Sequence, residues 1–183
     1  MVHQYADRHT LEGLVPADVS AGADHLAVAA RQAIVVVLAA PGQEAAVAHL
    51  LASDEDLSAR FSAPGEWLVI SGLQTPELLH QALAALLGDM AHCIDQSHGR
   101  VLLRLTGLNA RAILAKGAGL DLHPSAFSVG QSANVLCGHI SVNLARVGDD
   151  AFEIVVMRSF ADTLLHDLRD MGRAFDLTTA FLA

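Results

Sequence analysis

Cysteine is scarce in this chain, and its scarcity removes two classes of protein at once. Cys93 and Cys137 lie far apart with no paired spacing, so neither a disulfide framework nor a zinc ribbon can be built from them. Free thiols in a reducing cytoplasm are the expectation. Lysine is scarcer still, with Lys116 its single example, a trait of composition rather than a phosphate-binding signal. Positive charge as a whole is thin: 11 basic against 20 acidic residues give a formal net charge of −9. Binding to nucleic acid or to an anionic membrane needs clustered cations, so neither is expected as a partner.

Long apolar runs are missing as well. The most apolar stretch, Leu26 to Ala40, is broken by Arg31 and Gln32 and falls short of the roughly 20 residues that span a bilayer. The first twenty residues hold His3, Asp7, Arg8, His9, Glu12 and Asp18, where a secretory signal needs a basic start and an apolar core. The expected location is cytoplasmic. Neither the glycine-rich dinucleotide fingerprint nor the phosphate-loop pattern occurs, and no serine sits in a G-x-S-x-G elbow. None of the ten histidines has the i, i+4 helical partner with a carboxylate that zinc hydrolases use.

What is present is architecture. A content of 52% hydrophobic residues over 183 positions suffices for a substantial core. One plan reads twice along the chain, in halves of about 30–92 and 93–175, behind an N-terminal arm of 1–24 that precedes a single domain of 25–183. In the first half, Ala33 to Leu38 is a strand buried on both faces, followed by a helix through Val47, Leu50 and Leu51. Glu66 to Ile70 is a second strand behind Pro64-Gly65. Thr75 is suited to cap a helix with Pro76 at its first position, Glu77 at its positive end and Gly88 at its close. Leu79, Ala82, Leu83, Leu86 and Leu87 stripe that helix.

The second half starts with a strand from Arg100 to Leu105 that turns at Gly107 into a helix from about Asn109 to Lys116. Ser132 to Cys137 and Gly138 to Arg146 read as a hairpin, and Asp150 to Met157 repeats the Trp67 strand. Ser159, with Asp162 three residues on, reads as the start of a last helix striped by Leu164, Leu165, Leu168 and Met171 and ended by Gly172. The fold class that follows is α+β, a mixed sheet covered by helices in two pseudo-repeated β-α-β-α halves.

Several local arrangements invite chemistry. Asp121 and His123 share a face of an extended segment and form the nearest thing to a ligand pair, or else they organise the loop before Pro124. Cys137-Gly138-His139 places a thiol near a base, but neighbouring strand residues point apart, which favours a turn. The Thr106-Gly107 turn leads into a helix whose first amides could hold an anion, or is simply a tight turn. Arg100 and Arg104 share one strand face, ready for a carboxylate, a partner or an internal acid. No catalytic, cofactor-binding or metal-binding residue is assigned. Leu122, His123, Pro124 and Phe127 form a candidate partner interface, because their loop exposes apolar area unless something covers it; this protein's own core is the alternative cover.

With those residues laid out, the segment RLTGLNARAILAKGAGLDLHPSAF, followed after the hairpin by AFEIVVMRSFADTLLHDL, resembles the gamma subunit of heterotetrameric sarcosine oxidase. The resemblance covers roughly Ala33 to Met171. It is carried by Leu105-Thr106-Gly107, Ala110-Arg111, Leu114 to Gly117, Leu120 to Pro124 with Phe127, and Arg158 to Ala161. It implies the folate-domain fold of the aminomethyltransferases and partnership with an NAD-binding alpha chain, a flavin-carrying beta chain and a zinc-binding delta chain. In such bacterial complexes sarcosine is oxidatively demethylated to glycine, the one-carbon unit passing to tetrahydrofolate or leaving as formaldehyde, with hydrogen peroxide formed.

By the same resemblance FAD, FMN, NAD, zinc and tetrahydrofolate belong to the assembled complex, and none is expected in this chain, which has no motif to hold them. Its implied role is non-catalytic, in assembly and stability. An alternative is a tetrahydrofolate-binding one-carbon transfer protein or iron–sulfur maturation protein of the same fold. The maturation proteins carry a Lys-Gly-Cys motif, whereas Lys116-Gly117 is followed here by Ala118. A third reading, a self-associating scaffold, rests only on apolar composition.

Overall fold

Alternation with a period of two sets the strands, and two of them open the chain: β1 (His25–Val28) and β2 (Ala33–Ala39). In β2, Ala33, Val35 and Val37 turn to one side and Ile34 and Val36 to the other, and all five are buried, because the strand is covered on both faces. The computed structural model describes residues 8–16, 19–54 and 57–182.

After β2 come α1 (Glu44–Ser53), a hairpin of β3 (Ser58–Ala63) and β4 (Glu66–Ser71), α2 (Pro76–Leu87) and β5 (Ala91–Asp95). They form a four-stranded sheet of order β3-β4-β2-β5 with every neighbour antiparallel, the split β-α-β-β-α-β arrangement. The second half repeats it with one more strand between its helices: β6 (Arg100–Thr106), α3 (Ala110–Leu114), β7 (Ser132–Cys137), β8 (Ile140–Gly148), β9 (Ala151–Met157), α4 (Ala161–Gly172) and β10 (Thr178–Phe181). Its six-stranded sheet has the order β10-β1-β6-β9-β8-β7. Here β1 inserts between β6 and β10, pairing antiparallel with the first and parallel with the second, which makes the sheet mixed.

The repeat therefore builds two sheets. Helices α1 and α2 cover the smaller one over Val35, Val37, Val69, Leu79 and Leu83, while α3 and α4 cover the larger over Leu103, Ile113, Ile154 and Leu164. The other faces meet each other through Ile34, Val36, Leu68 and Ile70 on one side and Leu102 and Val155 on the other. Four layers result, helices outside and sheets inside.

Helix α2 keeps the signals read from its sequence. The Thr75 hydroxyl accepts from the Leu78 N–H and Gly88 takes a positive φ at the far end. Its buried line is narrower than the stripe suggests: Leu79, Leu83 and Leu87 are buried while Ala82 and Leu86 face outward, since one i, i+4 row is all that a sheet beneath the helix touches. Each buried leucine contributes about 1.5–3 kcal/mol. Helix α4 departs from its expected start. Arg158–Phe160 form a 3₁₀ turn, so Ser159 caps nothing and the helix begins at Ala161.

The segment expected to be an arm is folded onto the larger sheet where it is described. Leu11 and Val15 are buried in the core beneath α4, with Arg158 and Arg169 donating to the carbonyls of Arg8 and Leu14. Residues 1–7 and 17–18 of that expected arm lie outside the described residues. Strands β5 and β10 complete the two sheets beyond the ends read for each half. Among the described residues no helix is long and apolar enough to cross a membrane.

Candidate functional site

The stretch from β6 to the β7–β8 hairpin holds most of the positions that invited chemistry, and the structure engages them internally. Gly107 follows β6 with φ at +126° and carries the chain past Asp24: a β-carbon there would lie 2.3 Å from the Ala23 carbonyl and 2.4 Å from an Asp24 carboxylate oxygen. Only glycine fits such an approach. Asp24, buried at 2% exposure, accepts from the Asn109 backbone N–H and from its side-chain amide, each at 2.8 Å. The anion awaited at this helix start is thus the protein's own carboxylate, and the turn is structural.

Lys116 leaves the end of α3 to donate to the Met171 carbonyl on α4 and lies 4.7 Å from the centre of the Phe175 ring. A cation at the carbonyl end of a helix is favoured by the helix dipole. A β-carbon at Gly117 would meet the Met171 methyl at 2.1 Å, the far end of a flexible side chain that can turn aside. Lys116 is what joins the two helices.

Asp121 and His123 are tied into their own loop. The Asp121 carboxylate accepts from the His123 N–H, the His123 carbonyl accepts from the Ala126 and Phe127 N–H groups, and His123 Nδ1 lies 2.7 Å from the Ser125 hydroxyl. Together they shape a turn. Among the described residues no group of three His, Cys, Asp or Glu side chains is placed to hold a metal.

Leu122 and Phe127 of the candidate interface are each 4% exposed and belong to the core under α4; His123 and Pro124 are exposed. The loop is fixed by Arg146, itself buried, whose guanidinium donates to the carbonyls of Phe127, Gly148 and Asp149. The alternative cover, this protein's own core, is the one found for the two apolar members.

Cys137 is buried in the same core, and burial together with the nearby Asp167 carboxylate pushes its thiol pKa up, away from the thiolate a nucleophile needs. His139 stands exposed at the hairpin turn. Cys93 is likewise pushed up by burial.

The polar feature that sequence reading missed lies between the sheets. Arg60 on β3, 5% exposed, pairs with Glu153 on β9, and Arg104 stands 3.9 Å from the same carboxylate. Burial pushes the Arg60 pKa down and Glu153 beside it pulls it back up. Next to this pair, Asn143 bridges Asn134 and the Phe61 carbonyl, while Asn134 donates to Ser62. Arg104 was legible as one of a pair on a strand face; Arg60, within Ser-Ala-Arg-Phe-Ser-Ala, carried no local signal, because its partner is 93 residues away.

A cleft of about 670 Å³ opens where the N-terminal segment, the β1–β2 turn, the start of α2 and the β5–β6 turn converge, with Arg8, Arg31, Arg100 and Arg158 on its walls. Burial pushes the Arg100 pKa down, opposed by Glu66. Burial and the neighbouring Arg158 push His9 down.

Comparison with known proteins adds identity to this geometry. The model of the sarcosine oxidase, gamma subunit family matches residues 22–173. The chain is 32% identical to a sarcosine oxidase subunit gamma of Corynebacterium sp. (strain P-1) over 67% of its own length and 60% of the relative's. It is 30% identical to that of an Arthrobacter species over 70% of this chain and 63% of the relative, so it spans less than two thirds of these relatives. Among solved structures, a chain of the heterotetrameric sarcosine oxidase of Corynebacterium sp. U-96, in complex with pyrrole 2-carboxylate, superposes with a TM-score of 0.76 at 26% identity, covering 92% of this chain and 95% of that one. Aminomethyltransferase T of the glycine cleavage system of Bartonella henselae gives a TM-score of 0.61 at 17% identity over 87% of this chain and 48% of its own, a likeness of fold.

Proposed function

As a member of the sarcosine oxidase gamma subunit family, this chain is, we propose, the gamma subunit of a heterotetrameric sarcosine oxidase-type flavoenzyme, acting in its assembly and stability and performing no chemistry of its own. The observation that carries the reading is the near-complete overlay on a chain of a heterotetrameric sarcosine oxidase, 92% of one on 95% of the other. The internal geometry agrees with it. Three groups that could have acted in catalysis are occupied in holding the fold: Asp24 by Asn109, Lys116 by α4, Cys137 by the core.

In this reading alpha, beta and delta chains are the partners, and FAD, FMN, NAD, zinc and tetrahydrofolate reside on them. The complex works in the cytoplasm, demethylating sarcosine to glycine with transfer of the one-carbon unit to tetrahydrofolate or release of formaldehyde, and with formation of hydrogen peroxide. His123 and Pro124, exposed on their loop, are free to meet a partner. The test is expression of this chain alone and together with its partner chains. Flavin absorbance and sarcosine-dependent peroxide release are expected only from the assembled complex, and sarcosine oxidation by the isolated chain overturns the reading.

A further inference from the structure

Two adjoining cavities run into the space between the sheets. The cleft of about 670 Å³ continues into one of about 240 Å³, and the two share Ala29, Gln32, Gly72 and Leu102. Arg8, Arg31, Arg100 and Arg158 line the first, Arg60 and Arg104 the second. Of the 11 basic residues one is Lys116, so six of ten arginines line a single groove. Glu12, Glu77 and Glu153 are the carboxylates that line it. Acids outnumber bases 20 to 11 over the whole chain, and this groove inverts the ratio.

Folding accounts for part of that charge. Arg60 is neutralised by Glu153 and Arg158 donates to the Arg8 carbonyl. Arginines elsewhere follow the same pattern: Arg111, Arg146 and Arg169 each reach a backbone carbonyl, and Arg173 reaches Asp170. The guanidinium groups of Arg8, Arg31 and Arg100 differ, since none makes a hydrogen bond or ion pair among the described residues, and Arg100 Nε, like those of Arg60 and Arg111, is buried with no acceptor. The first turn of α2 lines the same cleft and adds the positive end of its dipole. Leu73, 98% exposed, stands on the rim.

Resting on the gamma-subunit reading, we propose that this arginine groove seats an acidic segment of a partner subunit, whose carboxylates meet Arg31 and Arg100 while an apolar side chain covers Leu73. A subunit of net charge −9 repels an acidic segment over most of its surface and attracts it here. Charge complementarity of this kind fixes register and speeds encounter. Carboxylate is the matching chemistry, because a guanidinium left without an acceptor offers paired N–H groups to it.

The experiment reconstitutes the purified chain with its natural partner chains and measures affinity and its dependence on salt. Arg31→Glu, at an exposed turn, is expected to weaken binding at least tenfold at low salt, mainly through the association rate, and to flatten the salt dependence. Arg100→Gln is expected to raise the dissociation rate, with circular dichroism melting showing that each variant folds. Failure of the unmodified chain to assemble overturns both the parent reading and this one. Assembly of a folded Arg31→Glu variant with unchanged affinity and salt dependence overturns this inference alone. So does stabilisation of the isolated chain by citrate that depends on Arg31 and Arg100 but leaves partner binding uncontested, since the groove is then a small-anion site.

Discussion

Asp24 reaches Asn109 across 85 residues of sequence, and its two carboxylate oxygens take the two N–H groups of that residue at 2.8 Å each. The contact locks the lead-in of β1 to the first turn of α3 and satisfies an amide that the helix itself leaves open. Hydrogen bonds to a charged group are worth about 1.5–3 kcal/mol, so Asp24→Ala is expected to lower stability by about 3 kcal/mol in urea denaturation. Asp24→Asn, which keeps one acceptor, should lose less; equal losses would place the effect in packing rather than in the bonds.

Gly107 is the geometric counterpart of that contact. Gly107→Ala puts a methyl group 2.4 Å from an Asp24 carboxylate oxygen at a φ of +126°. Strain and clash together should remove about 3 kcal/mol or more. Soluble yield and the denaturation midpoint read the outcome, and a variant as stable as the parent would show that the turn is not held as described.

Phe127 and His123 lie four residues apart and should behave oppositely. Phe127→Ala empties a fully packed site and is expected to cost about 3–5 kcal/mol, seen as a lower melting temperature of the isolated chain. His123→Ala should leave melting nearly unchanged and affect, if anything, assembly. A Phe127→Ala chain that melts normally but fails to assemble would return that residue to the docking surface.

Removing one member of the buried ion pair should hurt more than removing both. Glu153→Ala strands Arg60 between the sheets and is expected to cost about 3–5 kcal/mol, whereas Arg60→Met with Glu153→Leu should be near neutral. A double-mutant cycle measures the coupling. Additive losses would mean that the two groups do not act as a pair.

Stability should also fall as pH drops below about 6.5. His9 and His25 are both held below their usual value, chiefly by burial, so the unfolded chain takes up protons first as acid is added. The stability they leave intact above the unfolded pKa is lost as pH falls toward the folded one. Urea midpoints between pH 7.5 and 5.5 check this, with His9→Gln and His25→Gln combined expected to flatten the slope.

Elements carrying their own signals were readable along the chain. Thr75, Pro76 and Gly88 bracket α2 where expected, the β7–β8 hairpin sits where alternation put it, and the repeated plan is present. Strands β1, β3, β5 and β10 were not read, for His-Leu-Ala-Val, Ser-Ala-Arg-Phe-Ser-Ala, Ala-His-Cys-Ile-Asp and Thr-Thr-Ala-Phe are too short or hold too few alternating apolar residues. Each is made a strand by the neighbour it pairs with, as β10 is by β1.

The amino-acid order by itself determined the α+β class, the absence of nucleotide and metal motifs and the family resemblance, because capping, periodicity and motif spacing act within a few residues. Tertiary structure alone decided that the repeat makes two facing sheets, that Leu122 and Phe127 turn inward, and that six arginines gather in one groove. Those outcomes depend on contacts between residues as distant as Arg60 and Glu153, and no local rule reaches across such a separation.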